Sequence, residues 1–72
     1  MLTDDMRRRL EEAKRRIFRV TNLRRVSQDG WDRASKYTAE LGELLEDPQA
    51  TDESAGLALQ RLDQAIEDGA LT

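Results

Sequence analysis

The apolar residues near the start of the chain recur at alternating steps of four and three: Met6, Leu10, Ala13, Ile17 and Val20. At 100° per residue they fall within an arc of about 80°, which predicts an amphipathic helix with a narrow seam. Thr3 precedes the run as a cap, and Asp4 and Asp5 put carboxylates in the first turn, where they offset exposed N–H groups. The next seam position is Arg24, so the strict pattern stops there, while Leu23 and Val26 carry apolar character round the side. The expectation is a helix over residues 4–26. The "SQDG" of residues 27–30 follows as a turn, with Ser27 or Asp29 as the next cap.

A second helix is predicted over 31–46, with Trp31, Ala34, Thr38, Leu41 and Leu45 on one face and Tyr37 and Leu44 broadening it. Pro48 forces Asp47 away from helical backbone, so "EDPQATDES" reads as a loop that ends in a third cap at Thr51. The last segment, 52–68, places Ala55, Leu59, Leu62, Ala65 and Ile66 on one stripe and stops at Gly69, a residue suited to a left-handed C-terminus. The fold class that follows is all-α: a single three-helix domain over residues 1–72, one long N-terminal helix packed by a shorter two-helix hairpin.

The predicted lengths carry a consequence. A helix over 4–26 spans about 34 Å, whereas one over 31–46 reaches about 24 Å. Two short helices leave part of the long seam open, either Met6 and Leu10 or Val20 and Leu23. Burying each such side chain is worth about 1.5 to 3 kcal/mol, so a second protomer or another protein is expected to cover it. Trp31, just inside a helix start, reads as a plug capping the bundle. Phe18 lies about 100° from the centre of the seam, among Lys14, Arg15 and Arg25, which makes it the leading interface anchor.

Composition narrows the chemistry. Of 72 residues, 38% are apolar and 38% charged, enough to fold but with a small core that benefits from a partner. The chain has neither cysteine nor histidine, which removes disulfides, thiolate nucleophiles, imidazole bases and most transition-metal sites. Its carboxylates are scattered over solvent faces instead of paired, its four glycines stand alone, and no EF-hand spacing occurs. The expectation is a protein without catalysis, cofactor, metal or small-molecule substrate. With no apolar leader and no run long enough to span a bilayer, a cytoplasmic protein that avoids membranes is expected.

Charge sharpens the question of partners. Residues 7–25, "RRRLEEAKRRIFRVTNLRR", hold nine basic side chains in a chain of formal charge −3. A groove-reading helix gathers its cations on one face, but here they wrap the helix. Many are matched by acids four residues away: Asp4 with Arg8, Asp5 with Arg9, Arg7 with Glu11, Arg8 with Glu12, Glu11 with Arg15 and Glu12 with Arg16. Residues 1–27 sum to +5, nine cations against four anions, and residues 28–72 to −8, three against eleven. Glu40, Glu43, Glu46, Asp47, Asp63, Glu67 and Asp68 are therefore expected to face the first helix, within the chain or across a dimer.

The leading functional expectation is a small non-enzymatic protein–protein interaction module. It would act as an adaptor, regulator or inhibitor of cytoplasmic or phage type that forms a homodimer through Met6, Leu10, Phe18, Arg19, Leu23 and Arg25. The second is a DNA-binding regulator gripping phosphates with Arg15, Arg16, Arg19, Arg24 and Arg25. Against it stand the acidic body, which repels phosphate, and the "WDRASKY" start of the second helix, which offers few base-reading side chains.

Overall fold

Three caps set where the helices begin in the computed structural model, which describes residues 1–22 and 26–71. The Thr3 hydroxyl accepts the Met6 amide at 3.2 Å and opens α1 (Asp4–Asn22). Ser27 accepts the Gly30 amide at 3.0 Å and opens α2 (Gln28–Glu46). Thr51 and Ser54 form a reciprocal capping box that opens α3 (Asp52–Glu67). Each cap satisfies an amide that has no partner inside its own helix. The described residues contain no strand.

The ends follow equally local chemistry. Asp47, ahead of Pro48, takes extended backbone at φ −82 and ψ 115, and its side chain accepts the Gln49 amide at 2.8 Å in a tight turn. Gly69 has φ 74, and the Gly69 and Ala70 amides donate back to Ile66 O and Ala65 O at 3.1 and 2.9 Å. That is a Schellman ending, and the positive φ is why a glycine stands there.

Three boundaries differ from those the sequence predicts, the smallest being α3, which ends at Glu67 with Asp68 as its C-cap. α2 starts at Gln28, three residues early, because Ser27 and not Asp29 is the cap, and Asp29 and Gly30 become its first turn. α1 is helical to Asn22; Val26 is not helical, and residues 23–25 lie outside the described part. In consequence α1 and α2 are both 19 residues long and α3 is 16. Over the described residues α1 and α2 are equal in length and α3 is three residues shorter, and the part of the expected first helix at residues 23–25 lies outside them.

The three helices alternate in direction. At one end Asp52 of α3 accepts the Thr3 backbone amide and hydroxyl, both at 3.0 Å. Close to that end Arg7 donates to Leu45 O at 3.1 Å, and at the other end Arg33 donates to Ala70 O at 2.9 Å. Between them lies a core of Leu and Ala: Leu10, Leu41, Leu62 and Leu71 are its largest fully buried side chains, with Ala13, Ala34, Ala55 and Ala58 around them. Alanines let the helix axes approach closely. The result is a rod of 36 × 18 × 17 Å.

Met6 is 8% exposed and Leu10 is completely buried. The open seam expected at those residues is therefore closed by the chain itself. α2 matches α1 in length, and Leu2, Ala50 and Leu71, all outside the helices, add cover to the same core. The seam then continues to Thr21, which is buried and returns its hydroxyl to Ile17 O at 2.9 Å, so no polar group is stranded there.

Candidate functional site

α1 and α2 do not close on each other along their whole length. Between them runs a groove of about 640 Å³ with an almost entirely apolar surface. Its floor is laid by the buried side chains of Ile17, Thr21 and Ala34. On the α2 side the wall is low, because Ser35, Thr38 and Ala39 are small. Two aromatics stand at its margins, Phe18 at 69% exposure and Trp31 at 46%.

Helical phase explains the arrangement. Ile17 points into the core, and Phe18, one residue and 100° later, is carried round to the α2 side of α1. Trp31 sits in the first turn of α2, where the early start at Gln28 leaves it beside the groove instead of over the end of the bundle. The plug expected at Trp31 is thus corrected to a half-exposed wall. Spacing alone favours burial for a tryptophan at a helix start, and only the position of the cap at Ser27 reveals otherwise.

The groove has charge of both signs at its edge. Glu11, Lys14 and Arg15, all on α1, line it together with the apolar residues. Arg15 donates to Glu12 at 3.2 Å, with both side chains largely in water. Such a pair is worth little to stability.

Of the described residues singled out from sequence as interface, only Phe18 stands in this groove. Arg19 is exposed but faces the opposite side of α1, in a furrow shared with Arg8, Arg9, Arg16, Leu59 and Asp63. Met6 and Leu10 are in the core, which removes them from the accessible surface. Leu23 and Arg25, and Arg24 of the phosphate-binding set, lie outside the described residues. Missed from sequence were Ser35, Thr38 and Ala39, whose only signal is their smallness on the face of α2 beside Trp31.

The ion pairs differ from the predicted ladder. Among the described residues they are Arg15–Glu12 within α1, Arg16–Asp63 between α1 and α3, and Arg61–Glu40 at 2.7 Å between α3 and α2. None is one of the six pairs spaced four apart. Asp63 does meet α1 as the charge balance of the two halves implies, while Glu40 is held by Arg61 instead. Among the described residues no cluster of acids is placed to hold a metal ion, and no helix is long and apolar enough to cross a membrane. No protein family, curated protein or solved structure matches the chain.

Proposed function

We propose that this chain is a small non-enzymatic protein–protein interaction module, an adaptor, regulator or inhibitor, that works through the α1–α2 groove. The observation that carries this reading is the joint exposure of Phe18 and Trp31 on one apolar furrow. Aromatic side chains bring large contact area with few rotatable bonds, which is why they dominate the energetics of protein interfaces. A chain that sequesters Leu10, Leu41 and Leu62 almost completely has the means to bury large hydrophobics, so leaving these two in water at a concave site is a cost that docking recovers.

The test is a photo-reactive phenylalanine analogue at position 18, with the same group at Gln60 of α3 as a control, in living cells of the host. Protein adducts that require position 18 are the expected result, a second copy of the chain counting among them. Adducts to nucleic acid, or none that depend on position 18, overturn the reading.

A second reading, DNA binding through α1, draws on the furrow where Arg8, Arg9, Arg16 and Arg19 converge. Glu12 and Asp63 line the same furrow, and Arg16 is already engaged by Asp63, so part of its charge is spent inside the chain. Duplex binding that falls steeply with salt and is lost in Arg19→Glu and Arg25→Glu would place this reading first.

A further inference from the structure

Resting on the groove as a protein-docking surface, we infer that its occupant is the same groove of a second copy, giving a two-fold dimer in which each Phe18 enters the other's furrow. An isologous interface needs one patch to supply both the projection and the hollow that receives it. This patch does so: Phe18 projects, and the small residues Ser35, Thr38 and Ala39 leave the hollow.

Charge favours the same occupant. A rim of one sign would select a foreign partner of the opposite sign, whereas Glu11 stands here with Lys14 and Arg15, so two copies bring each carboxylate within reach of the other's cations. The groove's α2 wall is uncharged, whereas residues 28–72 as a whole carry eleven acids against three bases and repel their own kind. The groove is a surface on which copies can meet without that penalty.

Sedimentation equilibrium from micromolar to millimolar protein, read beside the emission of Trp31, the chain's only tryptophan, tests this. Mass is expected to double with concentration while Trp31 emission shifts to the blue along the same curve. Phe18→Ser is expected to weaken association about tenfold or more with helical circular dichroism unchanged. Ala39→Arg, at an exposed position of α2, obstructs the hollow without entering the core and is expected to do the same, which keeps the test decisive if Phe18→Ser misfolds. Leu57→Ser, at an exposed leucine of α3 outside the groove, is expected to associate as the wild type does.

A wild type that stays monomeric, a dimer indifferent to Phe18→Ser and Ala39→Arg, one lost in Leu57→Ser, or Trp31 emission that ignores the change in mass each overturns the dimer. A monomer that still gives position-18 adducts to another protein overturns the second copy as occupant and leaves the docking function standing. A monomer with no such adducts overturns both.

Discussion

Asp52 holds Thr3 by two hydrogen bonds, one to its backbone amide and one to its hydroxyl, each 3.0 Å long, across 49 positions of sequence. The same hydroxyl accepts the Met6 amide, so one small side chain caps α1 and ties the start of α1 to the start of α3. Thr3→Ala is expected to cost about 1 to 2 kcal/mol, and Asp52→Ala about 1 kcal/mol. The double variant is expected to cost less than the two together by at least about 0.5 kcal/mol, measured by urea denaturation. Strict additivity would show that the two residues act independently.

The buried and exposed large side chains of α1 are expected to respond in opposite ways. Leu10 is fully buried, and Leu10→Ala should cost about 2 to 5 kcal/mol, a large share of the stability of a 72-residue chain. Phe18→Ala in dilute protein should cost less than about 1 kcal/mol, because a side chain 69% in water has little burial to lose. Thermal melts at low micromolar concentration separate the two.

Gly42 and Gly56 lie inside α2 and α3, and a Cβ built on either meets nothing within 4 Å. Gly42→Ala and Gly56→Ala are each expected to stabilise by about 0.5 to 1 kcal/mol, since alanine loses less backbone freedom on folding and no neighbour must move. Lower midpoints in denaturant for both variants would contradict this.

At Gly69 the sign reverses. Its φ of 74 belongs to the left-handed region, and Gly69→Ala is expected to cost about 1 kcal/mol by straining the Schellman ending of α3. The amides of Gly69 and Ala70 are expected to exchange with solvent faster in this variant, and unchanged exchange would refute the assignment.

The helices and their caps were legible because they are local: Thr3, Ser27, Thr51 and Gly69 act on residues within five positions of themselves. Phe18 was legible as an exposed aromatic because helical phase is set by counting. What sequence did not reveal is non-local. The clamp of Asp52 on Thr3 needs two helix ends brought together, and the place of Trp31 in the first turn of α2 follows from which of two cap candidates, Ser27 or Asp29, prevails. Leu2, Ala50 and Leu71 join the core from outside the helices, where no helical periodicity identifies them. The expected mismatch in length rested on both the start of α2, set three residues too late, and the end of α1, and it implied an opening at Met6 and Leu10 that the structure does not have.

The narrow dimensions of the rod, 18 and 17 Å, have a physical corollary. Three helices set around one axis fill such a cross-section, and each gives one face to the middle and the rest to water. The interior amounts to a single shared filling of side chains, with no depth in which to enclose a guest molecule. Whatever this protein meets, it meets on its bark and not in its pith.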